Sequence, residues 1–239
     1  MTNRRDIVHV EDLLVTYSRF EQTIRALDGI GLTVPAGQAL MVTGRNGSGK
    51  STLLSVLCGS TRTKPARGTV LIDGTPIGQL TRVNLPKLVF LVHQDPLAGT
   101  VATMTVFENL LVADEDARIQ NKTRVELLAK YDALLRPVGL AERLRQQAEA
   151  LSPGQRQVLT VLIARLRPAK LVLLDEPLAS LDPTNAEICL SVIRGLKKLG
   201  KTLIYVTHRI EQTESFADRI VTLSEGSIVS DTTPQDATQ

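Results

Sequence analysis

The sequence predicts an α/β fold built around a phosphate-binding loop, and three observations carry that prediction. The glycine-rich run Gly44-Arg45-Asn46-Gly47-Ser48-Gly49-Lys50-Ser51-Thr52 follows the apolar stretch Ala39-Leu40-Met41-Val42-Thr43 and leads into Ser51 to Leu57, which reads as a helix. A second apolar run, Leu171-Val172-Leu173-Leu174, ends in Asp175-Glu176-Pro177. Strand-like segments at Lys170 to Leu174 and Thr202 to Thr207 flank a helix from about Pro183 to Leu199, closed by Gly200, and such alternation predicts a parallel sheet.

The remaining elements follow in chain order. Ile7 to Thr16 and Gly68 to Ile72 read as short strands, with Asp73-Gly74 as a turn, so an antiparallel layer is expected in the first part of the chain. From about Leu97 to Leu151 the apolar spacing turns helical, through Val106, Leu110, Leu111, Val125, Leu127, Leu128, Leu134 and Leu135. This predicts an inserted helical subdomain. The segment from Asp231 to Gln239 is polar and reads as a frayed tail. No internal repeat is evident, so one nucleotide-binding unit is expected.

Composition narrows the class. The chain has 239 residues, 43% hydrophobic and 22% charged, as expected of a globular protein able to bury a core. No apolar run approaches the roughly 18 residues that span a bilayer. Nothing near the N-terminus resembles a signal peptide, so a cytoplasmic location is expected. Cys58 and Cys189 each lie in an apolar helical pattern and read as inert core thiols. The net charge is +3, but the basic residues are scattered; Arg62, Lys64 and Arg67 form the densest group and read as a solvated loop, so nucleic acid is not expected as a partner.

The glycine-rich run matches G-x-x-x-x-G-K-S/T at every position, in the strand-loop-helix context that this loop requires. Glycines allow backbone N–H groups to converge on phosphate oxygens, and the helix N-terminus adds partial positive charge. Gly44 to Thr52 are therefore the nucleotide-binding candidates, with Lys50 reaching the β/γ-phosphates and Ser51 ligating Mg²⁺. By itself the loop leaves kinases, GTPases and transport ATPases open. Asp175, at the carboxyl end of a strand, is the further metal candidate, and Glu176 the candidate general base for an attacking water.

Leu151-Ser152-Pro153-Gly154-Gln155 separates these possibilities, because it resembles the LSGGQ signature of the ATP-binding cassette (ABC) ATPases. The resemblance covers nearly the whole chain. It includes His93-Gln94-Asp95-Pro96 as a Q-loop, Ser180-Leu181-Asp182 as a D-loop and Val206-Thr207-His208 as a switch loop. It implies a P-loop NTPase core in one ABC ATPase domain: residues 1–96 and 156–230 as the catalytic core with its antiparallel layer, about 97–155 as the helical signature subdomain, and 231–239 as tail. It implies ATP and Mg²⁺ as cofactors, with Gln94 sensing metal or water and His208 positioning the water with Glu176. Tyr17 matches the position whose ring stacks on adenine, with Phe20 as a nearby rival.

Ser152, Gly154 and Gln155 would act on the nucleotide of a second copy, with Asp182 beside them, implying a head-to-tail homodimer. Pro153 departs from the usual glycine. Ser152 is nonetheless a good N-cap, proline is tolerated at N1, and Gln155 at N3 completes a capping box. The resemblance further implies the ATP-hydrolysing subunit of a bacterial importer, peripheral on the inner face of the membrane through a separate permease, with an extracytoplasmic substrate-binding protein. Gln94 to Thr100 and Met104 to Asn109 resemble an importer subgroup linked to aromatic amino acids. The alternative is a non-transport ABC ATPase that regulates or remodels a soluble or envelope complex.

Overall fold

The computed structural model describes residues 5–19, 22–60, 63, 65–179, 181–208 and 214–234. It packs as two compact units: residues 1–91, 169–176 and 197–239 in the first, 92–168 and 177–196 in the second.

In the first unit, β1 (Asp6–Arg19) pairs antiparallel with β2 (Gln22–Pro35) and with β4 (Arg67–Ile72), and β5 (Thr75–Pro76) extends β4 in the order β2-β1-β4-β5. The sequence reading had no strand at 22–35 and a shorter β1. Alternation explains β1: Val8, Val10, Leu13 and Val15 are buried, while Glu11 and Asp12 are exposed at a register shift. Gly68 lies against that bulge, where a Cβ would come 2.4 Å from the Asp12 carbonyl oxygen. Asp73 and Gly74 both adopt positive φ, which builds the β4–β5 turn that the Asp-Gly pair predicts.

The second sheet runs β10-β9-β3-β8-β7-β6, with β3 (Ala39–Thr43), β6 (Val89–Val92), β7 (Leu171–Asp175), β8 (Thr202–Val206), β9 (Arg219–Ser224) and β10 (Ser227–Thr232). β3 pairs parallel with both β8 and β9, and β7 parallel with β8. All five residues of β3 and of β8 are buried, as expected for continuous apolar strands covered on both faces. α1 (Lys50–Leu57) adds Leu53, Leu54 and Leu57 to one core shared with Val8, Leu13, Leu40, Val42, Leu171, Leu173, Ile204 and Val206. Each such side chain contributes about 1.5–3 kcal/mol on burial. α2 (Leu85–Leu88) precedes β6.

One sequence expectation is corrected in this sheet. Asp231 and Thr232 are not tail residues: they pair with Val221 and Ile220 in β10. The Arg219 guanidinium grips Asp231, donating from Nε to Oδ1 at 2.6 Å, which extends order beyond what polarity alone suggests. Residues 235–239 lie outside the described residues, as do Phe20, Arg62, Lys64 and Ser180.

The second unit contains α3 (Val106–Ala113), α4 (Glu115–Ile119), α5 (Arg124–Leu135), α6 (Pro153–Leu166) and most of α7 (Pro183–Lys198). Thr105 with Glu108 and Thr123 with Glu126 form capping boxes that start α3 and α5. The packing draws its boundary differently from the expected 97–155, since residues 156–168 and 177–196 belong to this unit. The cause is α6, buried along most of its length; Gly99 abuts Thr160 so closely that a Cβ would lie 2.2 Å from Cγ2. Cys189 is buried and its thiol is pushed up to about 12 by that burial; Cys58 is also raised by burial, and both are free thiols.

Asp114 is the buried polar centre of this unit, 1% exposed. It caps α4 by accepting from the Ala117 amide, and it accepts from Lys130 and from the Tyr131 hydroxyl. Burial pushes its carboxyl up, but Lys130, the Ala117 amide and Tyr131 outweigh burial and hold it below the ordinary value. Replacing Asp114 by Ala is expected to lower unfolding free energy by about 3 kcal/mol in denaturant melts at neutral pH. Because the folded value is depressed, the part of this stabilisation linked to the carboxyl's charge is complete above the unfolded value of about 3.9 and is lost as pH falls through the folded value. The gap between parent and variant melts should therefore narrow in acid.

Candidate functional site

The parallel register sets the site of the first unit. Val42 of β3 pairs with Val206 of β8, and Val206 pairs with Asp175 of β7, so the carboxyl ends of three strands are level. The phosphate loop leaves β3, Glu176 leaves β7 and His208 leaves β8 at that edge.

Gly44 and Gly49 allow the loop its path. Gly44 has φ 139°, and a Cβ there would lie 2.2 Å from the Leu223 carbonyl oxygen; Gly49 has φ 106°, with a Cβ position 2.5 Å from the Ala26 carbonyl oxygen. Arg45, Asn46 and Gly47 are exposed at the loop tip, whereas Ser48 and Lys50 are buried. Gly49 caps α1 with no side chain, so residue 49 offers no side-chain oxygen to the first amides of α1. Lys50 Nζ donates to the carbonyl oxygens of Gly44 at 2.7 Å and Arg45 at 2.9 Å. Burial lowers the Lys50 pKa, and the charges of Glu176 and Asp175 pull against that shift. Ser51 is exposed and Thr52 half-buried on the first turn of α1.

Glu176 adopts φ 47°, a left-handed conformation that is costly for a non-glycine residue and concentrated at functional sites. Its amide donates to the Val206 carbonyl at 3.0 Å, fixing the turn out of β7. Glu176 Oε2 accepts from the His208 amide at 3.3 Å, and His208 Nε2 lies 3.1 Å from Oε1. The structure therefore brings Lys50, Asp175, Glu176 and His208 into one electrostatic cluster. Tyr17 of β1 is 36% exposed, with its hydroxyl 3.2 Å from Thr63 Oγ1, a tether that the sequence reading missed.

Gln94, Ser152, Gly154, Gln155 and Asp182 belong to the second unit. Gln94 is exposed, two residues beyond the end of β6. Ser152 caps α6 as its local sequence predicts: Ser152 Oγ accepts from the Gln155 amide at 3.2 Å, and Gln155 Oε1 accepts from the Ser152 amide at 3.1 Å, with Pro153 at N1. Asp182 caps α7 through the Asn185 amide at 3.0 Å, and this bond with that of the Asn185 side chain holds its carboxyl below the ordinary value. Gly154 is buried against Asn185, where a Cβ would meet the amide at 3.0 Å. Asn185 went unremarked in the sequence, although its spacing from Asp182 is that of a capped first turn. Gln157, 2% exposed, reaches the His93 carbonyl at 3.5 Å, tying α6 to the residue before Gln94.

The ABC transporter family profile matches residues 27–179, well over half of the chain. The chain belongs to the ABC transporter family. The methionine import ATP-binding protein MetN of Mesorhizobium japonicum is 34% identical over 94% of this chain and 60% of its own length. The macrolide export ATP-binding/permease protein MacB of Vibrio parahaemolyticus is 31% identical over 95% of this chain and 34% of its own length. The chain thus spans about 60% or less of these curated relatives. A dimeric ATP-binding cassette solved in a post-hydrolysis state with ADP and Pi is 26% identical, with a TM-score of 0.80, covering 95% of this chain and 98% of that one. The α/β P-loop NTPase fold is accordingly that of an ABC cassette. No helix among the described residues is long and apolar enough to cross a membrane.

Pro153 fixes its own φ at the start of α6 and removes only an N–H that has no helical partner. Replacing it by Gly, the usual residue of the ABC signature, should lower stability by about 0.5–1 kcal/mol in equilibrium denaturation.

Proposed function

We propose that this chain is the ATP-binding and ATP-hydrolysing subunit of an ABC membrane transporter, acting as one cassette in a dimer and coupling nucleotide-driven closure to a separate permease. The observation that carries the reading is the shared strand edge at which Lys50, Asp175, Glu176 and His208 converge beside a phosphate loop. A loop of amides and one ammonium suits a polyphosphate, and a carboxylate oriented by His208 suits activation of a water.

Gly44 to Thr52 would hold the phosphates, with Lys50 at the β/γ positions, and Tyr17 would stack on the base. Ser51 and Asp175 offer the hard oxygen donors that suit Mg²⁺, which needs few protein ligands beside phosphate and water; it would neutralise phosphate charge. Gln94 is assigned to report that state, and Ser152, Gly154 and Gln155, with Asp182 nearby, to act on the nucleotide of a second, identical cassette. The dimeric ADP-bound cassette supports the dimer. A permease, and with it a membrane-peripheral location, is supported by the transporter relatives, and import by the name of MetN. The extracytoplasmic binding protein and an aromatic amino acid as substrate rest on sequence resemblance alone.

Glu176→Gln is expected to retain ATP affinity while lowering steady-state hydrolysis by about 10²-fold or more. Hydrolysis at the parent rate would remove Glu176 as the base. Tyr17→Ala should weaken binding of a fluorescent ATP analogue by about threefold to tenfold without changing the affinity for inorganic triphosphate, because only base stacking is lost. Co-purification of an integral permease with the Glu176→Gln chain in Mg-ATP tests the transporter reading; soluble partners alone would favour a remodelling ATPase.

A further inference from the structure

Arg156 is a buried cation that the functional reading leaves without a task. It is 9% exposed, in the first turn of α6, directly after the segment Ser152 to Gln155. Helical side chains lean toward the helix N-terminus, so its guanidinium turns back under that segment. Nε donates to the Ala148 carbonyl at 2.9 Å, and Nη2 to the carbonyls of Glu149 at 2.9 Å and Leu151 at 3.3 Å. Its amide meanwhile donates to the Ser152 carbonyl at 2.9 Å.

The acceptors are the carbonyls of Ala148 and Glu149, in the 3₁₀ turn Ala148–Ala150, and of Leu151; that of Ala148 also accepts the Leu151 amide at 3.2 Å, so the fork adds to the turn's own bond. A rigid planar fork bonded to three of them fixes the peptide planes that lead into Ser152. Burying a cation against neutral dipoles is costly, and an apolar side chain would serve helix packing at lower cost. The opposite side of the segment is also fixed: Gly154 abuts Asn185, which is itself bonded to Asp182. Pro153 leaves the segment one N–H short, so the aim of the Ser152 hydroxyl and the Gly154 amide matters more.

We propose that Arg156 is a positioning residue that presents Ser152 and Gly154 to the nucleotide of the second cassette; this rests on the dimer reading above. Arg156→Met removes the charge and all three bonds, and Arg156→Lys keeps the charge but not the fork. Both are compared with the parent for ATP-analogue affinity of the monomer, kcat and KM, and hydrogen exchange of the amides of residues 150–152, 154 and 155. Dimer formation in Mg-ATP is followed by analytical ultracentrifugation in the Glu176→Gln background.

Both variants should keep monomer affinity and KM within about twofold, lose about tenfold in kcat and in dimer affinity, and exchange these amides about tenfold faster. Unchanged exchange, unchanged dimer affinity, or an equal loss of monomer affinity would each overturn the proposal. Should Arg156→Met lose its cooperative melt, Arg156→Lys decides by the same criteria. If the Glu176→Gln parent itself stays monomeric in Mg-ATP, the dimer reading fails and this proposal with it. The exchange result then still reports whether Arg156 anchors the turn.

Discussion

The site depends on one constraint, the register of three parallel strands. Hydrogen bonding between β3, β8 and β7 aligns Val42, Val206 and Asp175, and every candidate for phosphate and water chemistry in the first unit leaves the sheet within a few residues of that line. A slip of one residue would turn each strand's side chains to the opposite face. The apolar continuity of β3, β7 and β8 protects the register, because these strands are buried and cannot trade partners with water. The position of Glu176 is thus specified by buried Leu and Val residues of these strands.

Elements whose determinants are local were legible in the sequence. β3, β7 and β8 are runs of apolar residues bounded by turn signals, and α6 and α7 begin at Ser-Pro and Asp-Pro pairs that cap themselves. The phosphate loop is legible for the same reason, since each glycine answers to a backbone conformation. β2 was not: Gln22 to Pro35 contains a glycine pair and mixed polarity, and its extended form follows from pairing with β1 over its whole length. Asp231 and Thr232 read as tail because their order comes from pairing with β9 and, for Asp231, from Arg219, twelve residues away.

Side-chain partners were the least visible layer. The capping box at Ser152 could be written down from spacing, whereas the Tyr17 hydroxyl meeting Thr63 and the Gly154 contact with Asn185 bring together segments separated in sequence. The left-handed Glu176 had no sequence signal, since such a backbone usually announces itself by glycine or asparagine. The carboxylate proposed as the base at that position is a reason for the strain to be kept.

The reciprocal bonds of Ser152 and Gln155, with a proline ring between them, have a consequence for how the molecule is made. A helix is hard to start and easy to extend, because the first turn must freeze several dihedral angles before any ladder bond repays them. At α6 one of those angles is fixed covalently and two orphan amides are satisfied within four residues. The start of this helix is encoded in its own short stretch of chain and can form before its neighbours have found their places. The segment assigned to the second cassette therefore also carries the local signal that starts its own helix.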